Sequence, residues 1–214
     1  MTPPSASSAP SPLPVPDRPA VCGLILAGGL GRRMGGVDKA LLPLAGRPLL
    51  AHGIAALAPQ VDRLALSANG DPARFAAFAL PVLPDPLPDH PGPLAGILAG
   101  LEALAGEAWL VSAPADAPFL PHDLVSRLLA RQGETGSRAV FAASGTRTHP
   151  ATALWRADLA PELRAYLLAG ERRVGQFLAQ IGAATASWEA VSYDPFTNIN
   201  TPEDMVRAEH ILGG

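Results

Sequence analysis

The stretch Ala20-Val21-Cys22-Gly23-Leu24-Ile25-Leu26-Ala27-Gly28-Gly29-Leu30-Gly31-Arg32-Arg33-Met34-Gly35-Gly36-Val37-Asp38-Lys39 decides the fold. Its first part, Ala20 to Leu26, is a short apolar run that gives way to glycines, the pattern of a buried strand opening into a loop. Its second part has glycine at 28, 29, 31, 35 and 36, where positive φ is permitted and backbone amides can approach an anion closely. Arg32, Arg33 and Lys39 add positive charge to the same loop. Together they make a cradle for a polyphosphate. Two commoner phosphate loops do not fit the spacing. A dinucleotide fingerprint needs glycine three after Gly31, where Met34 stands, and a Walker loop needs Lys then Ser or Thr after its last glycine, whereas Gly36 is followed by Val37-Asp38-Lys39.

Outward from this stretch, strands alternate with helices. An extended piece at Leu41 to Leu44 and the turn Gly46-Arg47-Pro48 lead to a helix from about Leu49 to Ala58. A strand from Val61 to Ser67 and a short helix near Ala73 to Phe78 follow, then Pro81 to Pro84, which ends at Asp85. Leu94 to Leu104 reads as a helix, and Trp109-Leu110-Val111 as a buried strand with Asp116 just past its end. Pro121 is placed to open a helix reaching Arg131. Arg138 to Ala143 and Thr152 to Trp155 read as strands, and Asp158 to Leu168 and Val174 to Ile181 as helices. The last helix starts at a capping box, with Thr201 as cap and Asp204 completing it. This order implies an α/β fold, a mostly parallel sheet with helices on both faces. Ligands of such sheets sit beyond the carboxyl ends of the strands. The loop after Leu26, Ser67, Asp85 and Asp116 should therefore gather along one rim.

The chain has 214 residues, 48% apolar and 16% charged, which fits one α/β domain with a full core. The Pro/Ser-rich residues 1–19 should form a disordered tail, leaving 20–214 as a single domain. A net charge of −3 offers no general attraction to nucleic acid or to an anionic membrane, so an anionic ligand must be held by a local site. No apolar run reaches the ~18 residues of a membrane span. Cys22 is the one cysteine, which excludes an internal disulfide and a cysteine-built zinc site and points to a reducing, cytoplasmic compartment. Among 16 basic residues Lys39 is the only lysine, and asparagine occurs only at 69, 198 and 200. In a chain so biased toward Arg and Ala, these exceptions mark places where chemistry resisted the bias.

Asp116 stands between Pro114 and Pro118, a carboxylate on a rigid support. Magnesium prefers one or two carboxylates together with phosphate oxygens and water, so Asp116 is the metal-ligand candidate. Asp85 has the same strand-end placement, with a turn role as the alternative. His149 is a candidate near an acceptor, and the other histidines read as structural or surface residues.

The motifs Leu26 to Lys39, Leu42 to Pro48 (LPLAGRP) and Pro91 to Gly96 (PGPLAG) resemble the molybdenum cofactor guanylyltransferases. So do PADAPF around Asp116, His149-Pro150, AGERRV at Ala169 to Val174, and NINTPED at Asn198 to Asp204. The resemblance implies a Rossmann-like nucleotidyltransferase that binds Mg-GTP and joins GMP to molybdopterin with release of pyrophosphate. By the same resemblance Leu26, Ala27, Gly28 and Gly29 would contact the nucleotide, Arg33 and Lys39 its phosphates, Asp85 the nucleoside and Asp116 the Mg²⁺. Ser67 occupies the place of an asparagine in relatives, which puts a nucleotide contact there in question, and Asn69-Gly70 reads as a turn. Arg172 and Arg173, with Asn198 and Asn200, are the candidates for the pterin and its phosphate. Molybdenum-insertion proteins and molybdoenzyme chaperones would be further partners. A cytidylyltransferase for the same pterin and a sugar-phosphate nucleotidyltransferase share the fold, but Gly28-Gly29 resembles the guanine-using branch, since cytosine-using relatives read LAAG. A non-catalytic delivery scaffold is the alternative of another class, and the presence of Lys39 and Asp116 argues against it.

Overall fold

The computed structural model describes residues 19–28, 38–87, 92–104, 108–190 and 192–213. The tail up to residue 18, Gly29 and Arg33 lie outside the described residues. Strand β1 (Val21–Leu26) is followed by a short hairpin of β2 (Pro43–Leu44) and β3 (Arg47–Pro48), then by helix α1 (Leu49–Leu57). Next come β4 (Arg63–Ser67), β5 (Val82–Leu83), α2 (Pro93–Ala103), β6 (Trp109–Pro114) and α3 (Leu124–Thr135). The remainder is β7 (Ala139–Ser144), β8 (Arg147–Arg156), α4 (Ala160–Leu168), α5 (Val174–Gln180), β9 (Ala184–Trp188) and α6 (Pro202–Gly213).

Seven of these strands form one sheet in the order β5-β4-β1-β6-β8-β7-β9. β1 pairs in parallel with β4 on one side and β6 on the other, and β5 continues the parallel run from β4. Only β8 runs against its neighbours, pairing antiparallel with both β6 and β7. The α/β reading is therefore correct, and the carboxyl ends of β1, β4, β5 and β6 share a rim. Alternation along β1 assigns the two core layers, because successive strand side chains face opposite sides. Val21 and Ile25 join Leu50 and Leu57 of α1 and Leu124 and Leu128 of α3. Leu24 joins Ile97 and Leu101 of α2, Leu163 and Leu167 of α4, and Phe177 of α5.

α2 lies close against the sheet. Gly92 precedes it with φ of +133°, a conformation that favours glycine, and Pro93 then supplies the first helical residue, where a missing amide donor costs nothing. A Cβ on Gly96 would stand 2.2 Å from Ser67 Oγ and 3.0 Å from Leu26 Cδ2. Glycine there lets the helix seat directly over the ends of β1 and β4.

Several elements differ from the sequence reading, among them β8, which starts at Arg147 rather than Thr152. α3 begins at Leu124, not Pro121, and continues to Thr135. The side chain of Gln60 explains the late start: its Nε2 donates to the Pro121 carbonyl at 2.9 Å and its Oε1 accepts from Val125 N at 3.0 Å. A residue on another element thus holds the turn before the helix. β9, Ala184–Trp188, is not expected from the sequence, since Ala-Thr-Ala-Ser-Trp offers little apolar signal. It forms by parallel pairing with β7.

Candidate active site

The rim begins with three backbone contacts that clamp the ends of β1, β4, β5 and β6 together. Ala27 N donates to the Ser67 carbonyl at 2.8 Å, Ala115 N to the Leu26 carbonyl at 3.1 Å, and Ala68 N to the Leu83 carbonyl at 3.0 Å. Leu26 and Gly28 therefore leave the sheet between β4 and β6, where the glycine loop starts. The Ser67 side chain is 2% exposed and faces Gly96 of α2, so its reach is inward.

Lys39 re-enters the rim in a 3-10 turn, Lys39–Leu41, capped by Asp38 through Oδ1 and Ala40 N at 3.2 Å. Its ammonium donates to Asp116 Oδ2 and, at 2.7 Å, to Asn200 Oδ1. Three residues from widely separated parts of the chain thus meet at one point. Lys39 and Asp116 keep 22% and 21% of their side-chain surface exposed, so the pair is sheltered but reachable. Asp116 is fixed from both sides: β6 ends at Pro114, and the Asp116 carbonyl accepts from Ile199 N at 2.9 Å. Asn200 is fixed by the capping box of α6. Asp204 Oδ2 accepts from Asn200 N and Thr201 N, both at 2.8 Å, and Asp204 N donates to Thr201 Oγ1 at 3.1 Å. Burial alone would raise the Asp204 carboxyl, but the amides of Asn200 and Thr201 and the Arg207 guanidinium hold it below its ordinary value.

A second polar group lies on the β4–β5 side. Asn69 Nδ2 donates to Asp85 Oδ2 at 2.6 Å, and Asp85 N donates to Asn69 Oδ1 at 2.9 Å. Both ends of the Asn69 amide are thereby committed, which leaves the carboxylate of Asp85 oriented on the rim. Arg74 joins this group to the loop of Lys39. It donates through Nη2 to the Asn69 carbonyl at 2.8 Å, pairs through Nε with Asp38 Oδ2 at 3.1 Å, and stacks over Phe75. The turn reading missed Asn69; its scarcity, shared with Asn198 and Asn200, was the signal.

The remaining candidates sit apart. Because β8 runs against the sheet, α4 starts at the opposite rim and returns, which brings the turn before α5 back to the carboxyl rim. That turn carries Arg172 and Arg173. Arg172 Nη1 donates to the carbonyls of Leu167 and Glu171 at 2.8 and 2.7 Å, closing the end of α4, while Arg173 is exposed. Asn198 is exposed, and its carbonyl accepts from Asn200 Nδ2 at 3.5 Å.

Among the described residues no three His, Cys, Asp or Glu side chains cluster as a metal cage. One sheltered carboxylate beside a lysine suits a hard cation that brings phosphate oxygens and water as its other ligands. The residues therefore fit a metal held jointly by protein and substrate.

The MobA-like NTP transferase domain model matches residues 23–185. A molybdenum cofactor guanylyltransferase of Rhodopseudomonas palustris is 52% identical over 93% of this chain and 97% of its own. One from Cereibacter sphaeroides is 54% identical over 89% and 96%. Among solved structures, molybdopterin-guanine dinucleotide biosynthesis protein A from Archaeoglobus fulgidus is 25% identical, covers 90% of this chain and 98% of that one, and superposes with a TM-score of 0.71.

Proposed function

This chain belongs to the molybdenum cofactor guanylyltransferase family, and on that premise we propose that it transfers GMP from GTP to the terminal phosphate of molybdenum-molybdopterin. An oxygen of the pterin's phosphate forms a bond to the α-phosphorus of GTP. The bond from that phosphorus to the bridging oxygen of the β-phosphate breaks, and pyrophosphate leaves. The observation that carries this reading is the meeting of Lys39, Asp116 and Asn200 at the mouth of the glycine loop.

A phosphate monoester is already anionic near neutral pH, so the chain has no need of a serine–histidine pair to make the nucleophile. Positioning and charge stabilisation carry the step. Asp116 and Asn200 occupy two of the three ammonium protons of Lys39 and aim the third at an incoming phosphate oxygen. Arg33, in the same loop, offsets charge as pyrophosphate departs. Leu26, Ala27, Gly28 and Gly29 would contact the nucleotide, and Asp85, held by Asn69, would contact the nucleoside. Asp116 would hold Mg²⁺, which when bound neutralises charge on phosphate oxygens. Arg172, Arg173, Asn198 and Asn200 would serve the pterin and its phosphate, with Arg172 also closing the end of α4. The activity is assigned to residues 20–214 acting as one domain. The presence of one cysteine in the whole sequence supports a reducing, cytoplasmic setting. Molybdenum-insertion proteins and molybdoenzyme chaperones would then supply the substrate and take the product.

The test is pyrophosphate release with each nucleoside triphosphate in turn, molybdopterin and Mg²⁺. GTP should be preferred over CTP and ATP; a clear preference for CTP would move the chain to the cytidylyl branch.

A further inference from the structure

Between β9 and α6 the chain passes Asp194, a residue outside every motif considered so far. Its Oδ1 accepts from Ser144 Oγ at 2.8 Å and from Phe196 N at 3.0 Å, and its carbonyl accepts from Thr197 N at 3.1 Å. Oδ2 is buried without a hydrogen-bond partner, with His149 Nε2 and Arg147 Nη1 each 3.5 Å away. Ser144 Oγ also lies 2.7 Å from His149 Nε2. A hydroxyl carries one proton. Since Ser144 gives it to Asp194, the contact with His149 requires the proton to sit on Nε2. Burial lowers the pKa of His149, against the raising effect of Asp194, which favours a neutral ring in that tautomer.

A buried acceptor left without a hydrogen bond is costly, so a role that offsets the cost is to be sought in what the cluster holds. Phe196 is 2% exposed and packs its ring against His149 at 4.9 Å and Trp188 at 5.1 Å between centroids. Beyond it, Ile199 is buried and donates its amide to the Asp116 carbonyl, and Asn200 Oδ1 accepts a hydrogen bond from the Lys39 ammonium. The run from Asp194 to Asn200 thus starts in a buried polar cluster and ends on the active-site lysine. Asp204 fixes the far end.

We propose that Asp194 is a positioning residue: with Ser144 and His149 it sets the register of the Asp194–Asn200 segment, and through Asn200 and Ile199 it orients Lys39 and Asp116. The proposal rests on the reading of Lys39 and Asp116 given above. A merely structural role would stabilise the fold without acting through Asn200.

Lys39 is the only lysine in the chain, so the full-length protein grown with side-chain-labelled lysine gives one lysine Nζ/Cε NMR signal, readable without any ligand. Asp194→Ala should move that signal in the same direction as Asn200→Ala, and the double variant should show no further movement. In the pyrophosphate assay, Asp194→Ala should lower kcat about tenfold to a hundredfold, the scale of a small misplacement of reacting groups, with KM for GTP within about twofold of wild type. Its effect on kcat should vanish in the Asn200→Ala background, the non-additivity of residues acting through one another. Ser144→Ala, which deletes one hydroxyl, should move the lysine signal the same way by less, and it serves should Asp194→Ala fail to fold. A lysine signal left at its wild-type position, or kcat losses that multiply in the double variant, would overturn the proposal. A wild-type protein that releases no pyrophosphate from any nucleotide would instead overturn guanylyl transfer, and the lysine signal would still decide the role of Asp194.

Discussion

Lys39 differs chemically from the fifteen arginines around it. An ammonium is a compact charge with three rotatable donors, whereas a guanidinium is a planar fork of fixed shape. The contacts to Asp116 and Asn200 converge on a single nitrogen whose third donor lies beside them, whereas a guanidinium nitrogen carries at most two hydrogens and would place its remaining donors elsewhere. Lys39→Ala should therefore reduce kcat by about 10²–10³, the range for losing one donor to developing charge, and Lys39→Arg should restore little of it. Full activity in the arginine variant would mean that charge alone matters. Asp116→Asn should fold, because the amide keeps an oxygen for Lys39, but should lose most turnover because a neutral amide is a poor magnesium ligand. Activity within about threefold of wild type at ordinary Mg²⁺ would remove Asp116 from the metal role. At this scale the sequence was informative where rarity coincided with motif, as at Lys39 and Asn200, and where prolines fix a carboxylate at a strand end, as at Asp116. It failed at Asn69, whose partner Asp85 lies sixteen positions away, and at Asp194, whose partner Ser144 lies fifty away. Local spacing carries no trace of such side-chain pairs.

At the scale of elements, the alternation of strands and helices was legible because each buried strand is an apolar run and each long helix has its own apolar face. The exceptions have one cause: their structure is supplied by a neighbour. β9 exists through β7, and the start of α3 through Gln60. The seating of α2 is equally a matter of two elements. Gly96 lies over Ser67 so closely that an added methyl would meet Ser67 Oγ at 2.2 Å and its Cβ at 3.1 Å. Gly96→Ala should destabilise by about 1–3 kcal/mol, the usual cost of overpacking. The melting temperature should fall by roughly 2–4 °C for each kcal/mol lost. Ser67→Ala in the same chain should recover part of that loss by removing the nearest atom. An unchanged melting temperature in Gly96→Ala would mean that α2 stands farther from β4 than the 2.2 Å contact implies.

For the molecule as a whole, the site exists only when distant parts of the chain are assembled. The ends of β1, β4, β5 and β6 supply the rim, and the segment before α6 closes it over Lys39. A net charge of −3 gives no long-range pull on an anion, so nucleotide affinity depends on local groups and on the fold that gathers them. The unfolded chain has no such site, and binding therefore stabilises the folded state by mass action. At a free ligand concentration one hundred times Kd the gain is about 2.7 kcal/mol. For a chain of this length that corresponds to a rise in Tm of roughly 5–10 °C. A thermal melt with Mg²⁺ and each nucleotide at one fixed concentration should show the largest rise with GTP and smaller ones with CTP and ATP. Lys39→Ala should shrink the GTP-induced rise while leaving the Tm without nucleotide close to that of wild type, because the ion pair it removes is partly exposed and such pairs contribute little to stability. Equal rises for GTP and CTP would place the choice of base outside the nucleotide-binding step, and a Tm without nucleotide that falls along with the GTP response would make Lys39 a structural residue first.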